Sequence, residues 1–446
     1  MTIRTAPFAL IAFAVAALLP AISAQAQTQT QAQPQAQAPP PPPDAAQSDP
    51  KTNSVMQGFP PPPDKTVRFG DGSSSRFPAT RWAFSHFREL VPTATVWRGD
   101  GPVVALPRER DLGAIPVTTW DGKAITLSDA LALTYTDGLL VMHKGKIIYE
   151  KYFGEGATHR PHIAYSVTKS FVGTLAATLA AQGKLDPQAG VTKYVPAMGS
   201  AYDDATVRQV MDMLIGVKFS EVYADPNAEV WDYARAGGMI PQPPGYQGPK
   251  TFYDFLVKLE KQGAHGEAFS YKTANAEVLA WIIKRASGQS MADLLSSMIW
   301  QKLGAESDAY FMVDSIGTES GGGGLNATLR DLARFGEMIR NKGRFDGRQV
   351  IPAEAIADIE KGGDKAQFVK AGYVPLKGWS YRDMWWMTHN EHDAFIARGI
   401  HGQAIYIDPK AEMVIVRYAS HPVAANAAND PVTLPAFMAV AKELMK

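Results

Sequence analysis

The apolar positions of this chain come in short runs at both ends and at helical spacing between them. Residues 138–143 (Gly-Leu-Leu-Val-Met-His) and 147–153 are two apolar runs around a turn at Lys144, Gly145 and Lys146. Two such runs about a glycine turn predict a β-hairpin. Small and apolar residues then run from Gly173 to Ala181 and stop at Gln182-Gly183, which predicts a buried helix with a glycine end. Residues 184–310 read as mainly helical and rich in loops, with helical spacing at 207–214 and 252–262 and a strong helix over 277–288 that ends on Gly288. Ser320, four glycines, Leu325 and Asn326 read as a flexible turn into a helix over 328–341, with Leu329, Leu332, Phe335 and Ile339 on one face. Strand character returns over 395–407, turns at Asp408-Pro409-Lys410 and comes back over 413–418, and a helix over 435–445 closes the chain. Strands at both ends with helices between predict an α/β fold of the α+β type. It has one antiparallel sheet built from distant segments and flanked by helices, with an inserted, mainly helical region. No internal repeat is evident.

The amino-terminal part divides differently. Residues 1–26 read as a signal peptide: Arg4 is the positive end, an apolar run spans 8–19, and Ala24-Gln25-Ala26 offers a cleavage site. The run is short for a membrane span. A retained anchor is the alternative reading, and without a twin-arginine pair the expected export is of the unfolded chain to the periplasm or beyond. Residues 27–64 are dominated by Gln, Ala and Pro and predict a disordered linker. Residues 65–129 carry Trp82, Phe84, Phe87, Leu90 and Trp97, too apolar for a linker, and predict an arm packed on the main domain of 130–446.

Charge and composition narrow the chemistry. Lys plus Arg equals Asp plus Glu, 44 each, which argues against a nucleic-acid partner. The chain has no cysteine, so disulfides, thiolate metal sites and thiol catalysis are excluded. It has no Gly-x-Ser-x-Gly elbow, which argues against an α/β-hydrolase, and no glycine motif that would cradle phosphate. His389-Asn390-Glu391-His392 lacks a further ligand cluster and reads as a loop, so neither a metal nor a cofactor is expected.

Three segments could carry chemistry. Ser166 and Lys169 are one turn apart at the start of the predicted buried helix, where free backbone N–H groups favour developing negative charge. A hydroxyl beside an amine there is a workable nucleophile, and an ordinary helix cap is the other reading. Tyr271 lies just before the 277–288 helix, where a phenol can act as a base if a nearby ammonium stabilises it; packing is the alternative, with Asn275 as a cap or turn residue. His401, Gly402, Gln403 and Ala404 follow Gly399 on what reads as an edge strand, where glycine lets a substrate approach and a backbone N–H can face an oxyanion; a structural histidine is the alternative.

In this order and spacing the three segments resemble the serine β-lactamase and penicillin-binding-protein superfamily. They are most similar to class C β-lactamase-related esterases and 6-aminohexanoate-dimer (nylon oligomer) hydrolases. Residues 211–226 and 323–336 add to the likeness, which spans about residues 130–446. The resemblance implies a β-lactamase/transpeptidase-like fold and a cofactor-free serine hydrolase that cleaves small linear amides or esters through an acyl-serine. Ser166 would be the nucleophile, and Lys169 and Tyr271 would share the base role, in an order the sequence leaves open. The backbone N–H groups of Ser166 and Ala404 would form the oxyanion hole. His401, Gly402, Gln403, Tyr223, Glu221 and Asn275 would contact substrate. Asn275 stands four after the tyrosine instead of two, and His401 falls where classical members carry the lysine of Lys-Thr-Gly, so linear amides or esters fit better than β-lactams. A DD-peptidase or weak β-lactamase is one rival reading; a catalytically silent cell-wall-binding protein of the same fold is another.

Overall fold

Thr136–His143 and Lys146–Tyr152 form the predicted hairpin, and it starts a seven-stranded antiparallel sheet. In the computed structural model residues 41–446 are described, apart from 110, 111 and 113. The expected signal peptide and the first part of the expected linker lie outside the described residues. The sheet runs, in spatial order, Ser380–Arg382, Trp385–Met387, Phe395–Gly399, Gln403–Asp408, Met413–Ala419, Thr136–His143 and Lys146–Tyr152. Segments far apart in the sequence meet where Thr136–His143 pairs with Met413–Ala419. Both strands are buried almost throughout, as their unbroken apolar runs require of interior strands.

Helices cover both faces. Ile405 and Val414 meet Gly336 of the helix Leu329–Arg340 on one face. Tyr406 turns the other way, its ring 5.5 Å from Phe437 of the closing helix Asp430–Leu444. The buried helix Val167–Ala181 lies on the first face, with Phe171 stacked 3.7 Å from Phe335 and the Trp385 indole N–H donating to Thr174. A second antiparallel sheet orders Thr93–Val96, Ala309–Met312, Leu325–Ala327 and His162–Ile163. It anchors the chain just before Ser166 next to the chain just after the glycine run.

Several local expectations change. Residues 395–407 form two strands folded about residues 400–402, with Gly399 opposite Gln403, because His401 takes φ 62° and the chain reverses. Gln403–Asp408 is therefore an interior strand and not an edge. The helix expected over 252–262 stops at Leu256, that over 207–214 stops at Met211, and the closing helix starts at Asp430 and runs through Pro435. Residues 320–326 are no flexible turn: all seven are buried. Residues 44–64, expected within the disordered linker, form a series of turns; Ser48 is buried and the Tyr135 hydroxyl donates to Pro43 O at 2.9 Å. Composition could not anticipate this, because the ordering contacts come from partners distant in sequence. The arm of 65–129 carries the short helices Thr80–Ala83 and Phe87–Leu90 and gives Thr93–Val96 to the second sheet. Among the described residues no helix is long and apolar enough to cross a membrane.

Candidate active site

Tyr165, with φ 44°, turns the chain out of the second sheet and sets Ser166 at the cap position of Val167–Ala181. One turn on, Lys169 is fully buried and its Nζ donates to Ser166 Oγ at 2.8 Å and to the Gly322 carbonyl at 2.5 Å. Burial pushes the Lys169 ammonium down to about 8, against the pull of the Glu221 and Glu277 carboxylates. An amine with that pKa is neutral often enough near neutral pH to take a hydroxyl proton.

Tyr271 sits on the other side of Lys169, its ring centroid 5.2 Å from Nζ. Trp386 packs on it at 5.3 Å and Tyr381 meets it edge-on. Burial first, then the Glu221 charge, raise its pKa well above the ordinary phenol value, while a hydrogen bond with Ser166 works the other way. The phenol therefore keeps its proton and suits the role of proton donor.

The glycine run supplies the floor. Glu277, buried in the helix Thr273–Ser287, accepts the Gly321 and Gly322 N–H groups at 2.9 and 2.8 Å, the Tyr233 hydroxyl at 2.7 Å and the Ser320 hydroxyl at 3.0 Å. Burial raises its pKa and the four donors oppose that rise. A Cβ at position 322 would lie 2.4 Å from Thr273 Cγ2 and 2.8 Å from Glu277 Oε1, so only glycine can pass its carbonyl to Lys169 here.

Opposite Ser166 lies Gly399. A Cβ there would stand 2.6 Å from Ala164 O and 3.1 Å from Ser166 N, so the strand end abuts the serine backbone. Ser166, Ile400, His401, Glu221, Tyr223, Thr273 and Gly322 line one cavity of about 630 Å³. Glu221 accepts the Thr273 N–H at 2.8 Å, and burial raises its pKa against the Lys169 charge. His401 Nδ1 faces His421 O at 2.6 Å and burial pushes the imidazole down to about 4, so the ring is neutral.

Thus the fold brings together Ser166, Lys169, Tyr271, Glu221, Tyr223 and His401. It does not bring in four others. Ala404 pairs with Arg398 on one side and Arg417 on the other, so its N–H is directed at a neighbouring strand and is not available to an oxyanion. Gln403 clamps the chain reversal, its amide donating to Ile400 O and Ala419 O and accepting the Ala419 N–H. Gly402 faces the buried Arg417, whose guanidinium donates to its carbonyl. Asn275 is wholly buried and accepts the Tyr202 hydroxyl at 2.8 Å, away from the cavity. His389 and His392 have separate partners, Ser380 and Asp408.

Sequence reasoning missed Glu277, Gly322 and Ile400. A carboxylate directly before the apolar run of 278–283 was the available signal for Glu277, since a buried charge demands partners. Nothing local marks Ile400.

The beta-lactamase family profile matches residues 134–434. The chain is 37% identical to 6-aminohexanoate-dimer hydrolase of Paenarthrobacter ureafaciens over 350 residues, 77% of this chain and 86% of that one. A Bacillus anthracis structure described as a candidate 6-aminohexanoate-dimer hydrolase superposes with a TM-score of 0.78 at 30% identity, over 85% of this chain and 99% of that one. A penicillin-binding-protein homologue from Caulobacter crescentus shares the fold at 14% identity and a TM-score of 0.53, over 70% of this chain and 96% of that one. The chain accordingly belongs to the beta-lactamase family, as a hydrolase of the β-lactamase and penicillin-binding-protein superfamily similar to 6-aminohexanoate-dimer hydrolase.

Proposed function

We propose that the protein is an exported serine hydrolase that cleaves small linear amides or esters through an acyl-Ser166 intermediate. The observation that carries this reading is the 2.8 Å contact between Ser166 Oγ and the buried, low-pKa Lys169 Nζ. With the lysine neutral, that contact reverses: Ser166 Oγ–H donates to the Nζ lone pair while an Nζ hydrogen stays on Gly322 O. Oγ attacks the carbonyl carbon as its proton passes to Lys169, so Lys169 is the first base. The oxyanion is received by the Ser166 N–H and by the N–H of Ile400, which follows Gly399 at the chain reversal and lines the same cavity as Ser166. As the C–N or C–O bond breaks, the Tyr271 phenol gives its proton to the leaving amine or alkoxide, and the proton held on Lys169 replaces it. Water then attacks the acyl carbon, yields a proton to Lys169, and the lysine returns it to Ser166 Oγ as the acid leaves.

The cavity lining favours uncharged or amine-bearing substrates over anionic ones. Among the described residues that line it there is one carboxylate, Glu221, and neither lysine nor arginine, while His401 is neutral. A β-lactam carboxylate would find no cation at its mouth. The 6-aminohexanoate-dimer hydrolase relative makes linear 6-aminohexanoate amides the first substrates to assay. Export rests on residues 1–26, and a mature amino terminus at Gln27 in the periplasmic or secreted fraction tests it.

The decisive experiment is mass spectrometry of the intact protein after incubation with a fluorophosphonate and with ester, linear amide and β-lactam substrates. A covalent adduct on Ser166 that Ser166→Ala abolishes is expected. Full labelling of that variant, or no adduct and no turnover across the panel, removes the proposal in favour of a silent binding protein.

A further inference from the structure

The proposed oxyanion donors, Ser166 and Ile400, are each next to a residue with left-handed backbone. Tyr165, before Ser166, has φ 44°, and His401, after Ile400, has φ 62°. Such angles are uncommon for a tyrosine or a histidine and persist where the surroundings fix them. The two belong to segments more than two hundred residues apart in sequence, and both contact one residue of the amino-terminal arm. Phe84 is buried, its ring centroid 5.0 Å from Tyr165 and 5.1 Å from His401, while those two rings are 5.5 Å apart. Phe84 is itself fixed: its carbonyl accepts the Ile163 N–H at 2.8 Å, and Phe87 stacks on it at 6.3 Å. His401 is held from behind, its N–H donating to Ala424 O at 2.9 Å and its carbonyl accepting the His421 N–H at 3.2 Å.

We infer that Phe84 is a positioning residue: its ring wedges Tyr165 and His401 into left-handed backbone and so aims the Ser166 and Ile400 N–H groups at one point. The arm is then a structural part of the hydrolytic site. The inference rests on the acyl-Ser166 reading and adds to it. Three aromatic rings in mutual contact resist sliding, whereas an aliphatic side chain in the place of Phe84 fills the volume without holding both neighbours. If the wedge is lost, either strained residue can relax and turn its neighbour's N–H away. Loss of one whole oxyanion donor typically costs about 100- to 1000-fold in rate, so a partial turn should cost about 10- to 100-fold.

The test uses the full chain with p-nitrophenyl acetate, whose small acyl group makes few contacts with the cavity wall, and phenylboronic acid, whose tetrahedral adduct with Ser166 needs the same N–H donors. In Phe84→Leu, kcat should fall about 10- to 100-fold and phenylboronic acid affinity by a similar factor, with KM within about twofold. Phe84→Met, closer in volume, should show the same parallel loss and serves where the leucine variant does not fold. Phe84→Tyr, which keeps the ring, should retain most of the activity. Unchanged kcat and boronate affinity in folded Phe84→Leu or Phe84→Met, or a loss confined to KM, overturns the inference. Absence of any acyl-Ser166 in the unsubstituted protein is a separate result: it removes the serine-hydrolase reading itself, and this one with it.

Discussion

Lys169 and Glu277 are joined through a single residue. Glu277 Oε1 accepts the Gly322 N–H at 2.8 Å, and the carbonyl of the same glycine accepts from Lys169 Nζ at 2.5 Å. A carboxylate in one helix thereby sets the position of an amine in another, without the two charges meeting. Direct contact would hold the lysine protonated. The glycine relay fixes its place and leaves burial to lower its pKa.

Replacing Glu277 by Gln tests the relay. Three of the four donors converge on Oε1 and the Gly321 N–H alone on Oε2, so in a glutamine at least one of them faces an NH₂ group and the rest bond a neutral amide oxygen in place of a carboxylate. Unfolding in urea should show a loss of about 2–4 kcal/mol, since buried donors left unpaired are costly. Pre-steady-state acylation by an ester should slow about tenfold or more in the fraction that stays folded, because Lys169 loses its fixed anchor. Stability and acylation both near those of the unsubstituted protein would show that the glycine run holds itself.

Acylation should depend on pH through Lys169. Its folded pKa is about 8, and the base form is the neutral one. Below that value the rate should rise about tenfold per pH unit, and above it the rate should level off. His401, at about 4, adds no inflection across this range. Stopped-flow acylation between pH 5.5 and 10 reads the profile, and a flat one would take Lys169 out of the base role. Stability has its own sign. Between about 8 and the ordinary lysine value of 10.5 the unfolded chain holds the proton that the folded chain has lost, so this group's contribution to stability rises with pH over that window.

Gly399→Ala should damage catalysis more than folding. The new methyl would meet Ala164 O at 2.6 Å and Ser166 N at 3.1 Å, both backbone atoms that move only with the nucleophile. Overpacking of this kind costs about 1–3 kcal/mol. Because the shift falls on the proposed oxyanion donors, kcat should drop by about 100-fold or more, while the melting temperature falls by only several degrees. Retained kcat would separate Gly399 from the site.

Arg398 stabilises the sheet behind the site. It donates to both Asp430 oxygens at 2.6 and 2.7 Å in a buried pair, and its guanidinium lies 5.3 Å from Trp386, the ring that packs on Tyr271. Arg398→Leu strands the Asp430 carboxylate and should cost about 3–5 kcal/mol. The double variant Arg398→Leu, Asp430→Asn should recover a large part of that, because no buried charge is left unpaired. Equal losses in the single and double variants would mean the pair contributes by packing alone.

How far this could be read in advance differs element by element. The hairpin at 136–152, the buried helix after Ser166 and the helices over 273–287 and 329–340 were legible, because apolar period and glycine stops are local properties. The placement of Ser166 and Lys169 on one helix face and of Tyr271 at a helix entrance was legible for the same reason. Gly402, Gln403 and Ala404 were misread because the residues around 400 reverse direction. Two successive left-handed residues, His401 and Gly402, move the segment beside the serine from residues 402–404 to 399–400.

By itself, then, the chain's sequence determined the order of its elements, which faces they bury and that Ser166 and Lys169 stand one helical turn apart. Each of these follows from spacings of a few residues, where covalent geometry dictates what meets what. Tertiary structure alone decided that Gly399 abuts Ser166, that Glu277 holds Gly322 for Lys169, and that Phe84 of the arm packs on Tyr165 and His401. Those are contacts between segments tens to hundreds of residues apart, and their selection depends on how the whole core packs.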